Sequence, residues 1–119
     1  MNVWYLVFAV ACLAVPTTSP AQGNHPDCAG VQRWATSMAF VHLKNAGVTD
    51  NDKLDFTLTK TTRLASERIG RDLYRQIHYV VFTEKSGNVI EVITVNNASS
   101  QECSMSGVEV FVISRRLGG

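Results

Sequence analysis

The chain has 119 residues, of which 45% are hydrophobic, and carries a formal net charge of +1 at pH 7. The length predicts one domain, and the hydrophobic content excludes an intrinsically disordered chain, which would be poor in such residues and highly charged. A charge so close to neutral gives no reason to expect nucleic acid as a partner.

The N-terminal segment has the pattern of a secretory signal peptide. Residues 3–15 are almost wholly apolar, a run too short to span a bilayer comfortably, and Ser19-Pro20-Ala21 supplies a small-x-small cleavage site. One feature is atypical of a signal peptide, because no Lys or Arg precedes the apolar run. We predict that residues 1–21 direct export and are removed.

The predicted cleavage divides the chain into a signal peptide over residues 1–21, a linker over 22–27 and a single domain over 28–117. The mature protein is then periplasmic or secreted and has no stable membrane span. Two alternatives stay open for the N-terminus. The first alternative is a short membrane anchor. The second is a lipobox formed by "AVAC" at residues 9–12, in which Cys12 carries a lipid.

The cysteines predict one covalent cross-link. Cys12 leaves with the signal peptide, so Cys28 and Cys103 remain as an even pair in an oxidising compartment, where disulfides form and persist. The chain-entropy model gives about 4 kcal/mol of stabilisation for closing a loop of roughly 75 residues. A zinc site needs more closely spaced ligands, and a catalytic cysteine needs a free thiolate. We predict a Cys28–Cys103 disulfide, and neither a metal nor a cofactor.

Residues 28–46 have the periodicity of one α-helix. Asp27 is a good N-cap residue, and Gly47 is a natural residue to follow the C-terminus. The side chains expected on the buried face are spaced three or four residues apart. They are Val31, Trp34, Ala35, Met38 and His42.

The rest of the chain predicts four strands. Alternating apolar residues and a Thr-rich run predict the first strand over residues 54–62, and "ASERIGRD" at 65–72 breaks it. The second strand is predicted over 73–84 and the third, after a "KSGN" turn, over 89–96. A loop of small polar residues then precedes the last strand, which is predicted over 108–116.

One helix followed by four strands with short links predicts an α+β domain of two layers. Sequential strands usually pair with their neighbours, so we expect an antiparallel meander sheet with the helix across one face. The last two predicted strands are apolar on both faces. They are therefore either central in the sheet or covered on the second face by something else, such as a partner.

His78, in the second predicted strand, is the candidate for general acid–base chemistry. The basic residues available to a small hydrolase or nuclease built around it are Arg75, Lys60 and Arg63. A lone histidine in a strand more often packs across strands, because catalysis needs a second group in suitable geometry. His42 is expected to be hydrogen-bonded at the edge of the core, and His25 to be solvated in the linker.

Two further features are candidates for binding. Five basic residues within a short segment are suited to an acidic partner or an anionic ligand. They are Lys60, Arg63, Arg68, Arg71 and Arg75. Phe40 lies opposite the predicted buried face of the helix, where an aromatic side chain resembles an interface anchor. The alternatives are an ordinary solvated surface for the basic residues and packing beneath a loop for Phe40.

These features favour a small exported, non-enzymatic binding protein whose partner is another protein, an acidic one if the basic segment binds it. An inhibitor or immunity-type protein that occludes its partner is the concrete form of this hypothesis. Two alternatives stay open: the hydrolase or nuclease around His78, and a carrier of a small apolar ligand between helix and sheet. A flat surface in the structure would favour the binding protein. A cleft at His78 would favour the enzyme, and a deep apolar cavity would favour the carrier.

Overall fold

The computed structural model describes residues 25–113 and 117–118. The predicted signal peptide, with Cys12, lies outside these residues. The helices are α1 (Trp34–Asn45) and a short 3₁₀ helix (Phe56–Leu58). The strands are β1 (Lys60–Gly70), β2 (Leu73–Thr83), β3 (Val89–Ala98) and β4 (Glu109–Val112).

The four strands form one antiparallel sheet in which each strand pairs with the next along the chain. The helix α1 packs across one face of this sheet. The predicted α+β architecture, one helix on a four-stranded meander, is therefore confirmed. β3 lies between two partners, whereas β4 is a short edge strand. The predicted end of the last strand, residues 114–116, lies outside the described residues.

The helix begins at Trp34 rather than at residue 28, and Asp27 does not cap it. The segment before it contains Gly30, a poor helix former. Cys28 is fully buried and bonded to Cys103. A tertiary cross-link therefore fixes this segment in a non-helical conformation, which local helix periodicity could not reveal.

The buried face of α1 is rotated from the predicted one. It consists of Ala35, Thr36, Ala39 and Leu43. The prediction that His42 lies at the edge of the core is wrong, because His42 is exposed. The predicted exposure of Phe40 is also wrong, because its ring is half-buried and packs against the core. The two alanines bring α1 close to the sheet, and the larger Phe40 side chain packs beside that contact.

The first strand begins and ends later than predicted. Residues Phe56–Leu58 form a 3₁₀ helix because the Asp55 carboxylate accepts a hydrogen bond from the backbone N–H of Thr57 at 3.1 Å. Such local bonds compete with a strand ladder. β1 then continues through the predicted break to Gly70, paired with β2. Asp72, at φ +50°, supplies the left-handed residue of the hairpin turn.

The sheet has an inner face, toward α1, and an outer face, which α1 leaves uncovered. Successive side chains of each strand alternate between the two faces, except at Leu64 and Ile69, where β1 has bulges in its pairing with β2. One end of the inner face is apolar and forms the core with Ala39 and Leu43. The core residues on the sheet are Val80, Phe82, Ile90 and Val92. The other end of the inner face is polar and lies under the disulfide segment.

Cys28 and Cys103 form the predicted disulfide, with an S–S distance of 2.08 Å and a sequence separation of 75. The bond ties the segment before α1 to the loop before β4. A structural disulfide indicates folding in an oxidising, extracytoplasmic compartment. Within the part of the chain that the structure describes, no helix is both long and apolar enough to cross a membrane.

Candidate functional site

The five basic residues singled out in the sequence do not form one surface. Lys60 and Arg75 lie on the outer face, near its opposite ends, as the strand register shows. Arg63 and Arg68 both lie on the inner face, because a bulge at Leu64 shifts the alternation of β1 between them, and Arg71 lies in the exposed hairpin turn. The alternation of side chains along β1, together with this bulge, divides what the sequence presents as one cluster.

Arg63 holds the segment that leads into the disulfide. Its Nη1 donates to the carbonyl of Pro26 at 3.1 Å, and Nε2 of Gln76 donates to the same carbonyl at 2.8 Å. Two donors thus fix one carbonyl above the polar end of the inner face. We assign Arg63 to this structural contact rather than to an exposed binding surface.

His78 lies in the same polar layer, opposite Arg63 on β1 and Thr94 on β3. Its side chain is fully buried. Burial lowers the pKa of His78 below the ordinary value for histidine, the charge of Arg63 lowers it further, and the charge of Asp27 opposes this shift. At neutral pH His78 is therefore an uncharged imidazole without access to solvent, and it is not placed to exchange a proton with a substrate.

Several buried polar atoms around His78 have no hydrogen-bond partner among residues 25–113. They are both ring nitrogens of His78, Oγ1 of Thr94, Oε1 of Gln76 and Oδ1 of Asn96. A buried polar group without a partner costs about 1–3 kcal/mol in stability. The polar layer is therefore only partly hydrogen-bonded within the chain: Nε2 of Gln76 donates to the Pro26 carbonyl and Nδ2 of Asn96 to the Cys103 carbonyl.

His25 contacts the sheet and is half-buried, so its predicted solvation is wrong. Its Nδ1 lies 2.6 Å from Oγ of Ser66, and its ring meets Tyr74 edge-on with centroids 4.9 Å apart. A serine bonded to an imidazole resembles a nucleophile and its base. However, no third side chain of the described region is hydrogen-bonded to His25, and Gln76 also donates to Ser66 at 3.1 Å. The pair anchors the N-terminal segment to β1.

Phe40 forms the floor of an apolar cleft between α1 and the 3₁₀ helix, which we call the Phe40 cleft. Its ring meets Phe56 edge-on at a centroid distance of 5.1 Å and lies 6.5 Å from the ring of Phe82. The cleft has a volume of about 470 Å³. Its other lining residues are Val31, Gln32, Thr36, Ser37, Val41 and Thr59.

The rim of the Phe40 cleft is open to solvent and consists of three apolar residues together with exposed Gln32 and Ser37. Val31, Val41 and Phe56 are 48%, 38% and 46% exposed, respectively. Contiguous apolar surface of this kind marks interaction sites on soluble proteins. Of the polar lining residues, Thr36 is already bonded through its hydroxyl to Thr61 at 2.6 Å. The cleft therefore offers shape and apolar area rather than reactive groups.

A second depression, of about 500 Å³, lies between the C-terminal end of α1 and β4. It is more open than the Phe40 cleft, and the polar residues His42 and Glu109 are among those that line it. The Phe40 cleft is consequently the better candidate for a site that removes apolar surface from water.

Comparisons of the chain with protein-family models, with curated proteins and with solved structures give no significant match. Among the residues that the structure describes, no three His, Cys, Asp or Glu side chains are grouped so that they could hold a metal ion. The Phe40 cleft is therefore interpreted from its shape and lining residues alone.

Sequence reasoning selected Phe40 but missed its surroundings. Val41 and Phe56 complete the rim, and neither belongs to a recognisable motif. The available signal was the pair Phe40-Val41, which extends apolar surface around α1 beyond one stripe. Phe56 could not be placed, because the alternation around it predicts a strand where the structure has a 3₁₀ helix.

Proposed function

We propose that this chain is an exported, non-enzymatic binding protein of the periplasm or secreted space, and that it holds an apolar side chain of a partner protein in the Phe40 cleft. It acts as an inhibitor or immunity-type protein by occluding that partner. Residues 1–21 serve as the signal peptide. The observation that carries the proposal is the exposed apolar rim around a half-buried aromatic floor.

The form of the cleft favours a protein partner. Exposed Val41 and Phe56 lie beside the cleft opening, so a bound side chain and the backbone around it would cover them together. Binding energy at protein interfaces is concentrated where an anchor side chain fills a desolvated pocket surrounded by a rim that excludes water. The Phe40 ring provides such a floor, and the disulfide-linked domain keeps it in place.

Exposed cations outside the cleft suit an acidic partner. Arg33 lies beside Pro26, Asp27 and Cys103, and Lys60 lies on the outer face of the sheet. Exposed charges of this kind act mainly on the association rate and are screened over about 8–10 Å at physiological salt. We therefore assign affinity to the apolar cleft and steering of an acidic partner to these cations.

The test is affinity capture with three baits, each carrying its disulfide, from the native envelope fraction and culture medium. Val41→Arg places a charge in the rim, and Asn45→Arg adds the same charge at an exposed position at the end of α1, outside the cleft. We expect a partner that the wild type and Asn45→Arg retain and that Val41→Arg binds at least about tenfold more weakly, as at an interface hot spot. A partner retained equally by all three baits contradicts the proposal.

A carrier of a small apolar ligand is the second candidate, because about 470 Å³ lies within the volumes of small-molecule sites. Native mass spectrometry of the exported protein separates the two functions. A carrier co-purifies with a small apolar molecule that Val41→Arg loses, whereas a protein inhibitor is recovered without one. The hydrolase alternative ranks below both, because the His78 side chain is fully buried.

A further inference from the structure

The outer face of the sheet has an apolar centre. Ile77 and Val95 are register partners on β2 and β3, and Tyr79 and Ile93 form the adjacent row. Phe111 on β4 extends this second row and is 53% exposed. The helix α1 packs on the inner face, so it covers none of these side chains. An apolar, pleated face of this kind is the inner half of a two-sheet sandwich.

Charged side chains lie at both ends of this apolar centre, and exposed Glu109 on β4, in register with Val95, lies at its side. At one end, Glu67 on β1 is in register with Arg75 on β2. At the other end, Lys60 lies on β1 and Glu91 lies on β3, each in register with Val81. The hydroxyl of Tyr79 donates to the Glu91 carboxylate and so holds it over the face. Each end therefore presents one cation and one anion, but their order across the strands is reversed.

We propose that two copies of this chain pack outer face to outer face as a symmetric dimer. The twofold axis runs across the strands, between the Ile77–Val95 row and the Tyr79–Ile93 row. This rotation places β1 over β1 of the second copy. It also reverses the strand direction, so that the Lys60 end of one copy lies over the Glu67 end of the other. Lys60 of one copy then faces Glu67 of the other, and the contact occurs twice.

The same rotation brings Arg75 of one copy over Val81 of the other, diagonal to both Glu91 and Lys60, so the two Lys60–Glu67 contacts carry the charge complementarity. It also places Glu109 of one copy over Phe111 of the other, at the edge of the pair. Packed sheets lie about 10 Å apart, a gap that facing long side chains bridge. A twofold axis along the strands would instead place Arg75 over Asn97 and Lys60 over the end of β4, without opposite charges. The distribution of charge thus selects one of the two face-to-face arrangements, because an isologous interface must be complementary to itself.

The available area meets the requirement for a stable pair. At about 3.3 Å per residue and about 4.8 Å between strands, strands of this length in a four-stranded sheet present roughly 600 Å². A face-to-face pair therefore buries roughly 1,200 Å² in total, at the small end of specific interfaces. We expect a dimer with a Kd of roughly micromolar order, since area alone does not give high affinity.

The dimer answers a question raised by the sequence, namely what covers the second apolar face of the last two strands. It is independent of the Phe40 cleft, which is formed by α1, the 3₁₀ helix and the inner side of the sheet. Both surfaces can therefore be occupied at once, and each can be tested without the other.

Sedimentation of the exported, disulfide-bonded protein over a range of concentrations tests the dimer. Lys60→Glu and Glu67→Lys change exposed side chains, and each should raise the dimer Kd about tenfold because two symmetric contacts become repulsive. The double variant Lys60→Glu/Glu67→Lys should return the Kd to within about threefold of wild type, since the facing charges are opposite again. Lys85→Glu, an equal charge change in the β2–β3 turn, should have no effect.

Ile93→Asp places a charge in the apolar centre and should leave only monomer, with thermal unfolding recorded to show that the domain is folded. A wild-type protein that stays monomeric at every concentration overturns the proposal. So does a dimer that tolerates both single charge reversals, or one that the double variant fails to restore, because its interface then lies elsewhere.

Discussion

His78 and Thr94 lie opposite each other on neighbouring strands, and both side chains are fully buried. Neither finds a hydrogen-bond partner for its side chain among the described residues. A buried imidazole in such surroundings is stable only when it is neutral, because burial disfavours its charged form. His78 therefore makes the stability of the domain sensitive to weakly acidic pH.

The pH dependence has a definite sign. The pKa of His78 in the folded chain is lowered by burial and by Arg63, so the unfolded chain binds the proton first as the pH falls. Stability should be fully present above about pH 6.5, the ordinary histidine value, and fall below it by up to about 1.4 kcal/mol per pH unit. Urea unfolding between neutral and weakly acidic pH measures this slope.

His78→Gln removes the titrating group, and His42→Gln is the matched control at an exposed position. The first variant should lose the slope and the second should keep it. Hydrogen bonds lower the pKa of the Asp72 and Glu84 carboxyl groups, so these groups also reduce stability at acid pH, but only as the pH falls toward their ordinary values of about 4, below the weakly acidic range in which the slope is measured. Equal slopes in wild type and His78→Gln would show that another group carries the effect.

The disulfide should account for a large share of the stability. It closes a loop over a sequence separation of 75, for which the chain-entropy model gives about 4 kcal/mol. The double variant Cys28→Ala/Cys103→Ala should therefore lower the free energy of unfolding by about 2–5 kcal/mol in urea titrations. Reduction of the wild type should give the same loss, and an unchanged unfolding midpoint after reduction would refute the role of the bond.

Phe40 and Phe56 should differ in their contribution to stability although they touch. Phe40 packs against the core, so Phe40→Ala should cost about 2 kcal/mol, less than a fully buried ring. Phe56 is 46% exposed, and Phe56→Ala should cost about 1 kcal/mol or less by the area it buries. Thermal unfolding of both variants checks this order. A larger loss for Phe56→Ala would mean that the 3₁₀ helix, rather than α1, holds the cleft together.

The sequence predicted the architecture because its signals are local. The alternation of side chains in β2 and β3 and the short turn at Gly87 define a hairpin without knowledge of the rest of the chain. The disulfide was also predicted, from the number of cysteines and the predicted signal peptide, and that prediction needs no geometry. These features were sufficient for a helix on a meander sheet.

The details of the site depended on tertiary contacts that no local pattern encodes. The start of α1 was misplaced because the disulfide fixes Cys28, and the rotated helix face brought Phe40 inward and His42 outward. The basic segment was treated as one cluster because β1 was predicted to break. Once the strand continues to Gly70, its alternation and the bulge at Leu64 place Lys60 on the outer face and Arg63 and Arg68 on the inner face. The Phe40 cleft lies between α1 and the 3₁₀ helix. It could not be predicted, because it also depends on tertiary contacts.

Photo-crosslinking in the native host shows whether the Phe40 cleft holds a partner protein. A photoreactive phenylalanine analogue replaces Phe56 at the cleft rim, and a second protein carries the same analogue at Phe111 on the outer face. Our account predicts an adduct with another protein from position 56, and an adduct of two copies of this chain from position 111. If position 56 gives no adduct, or gives only adducts between copies of this chain, the Phe40 cleft does not hold a partner protein.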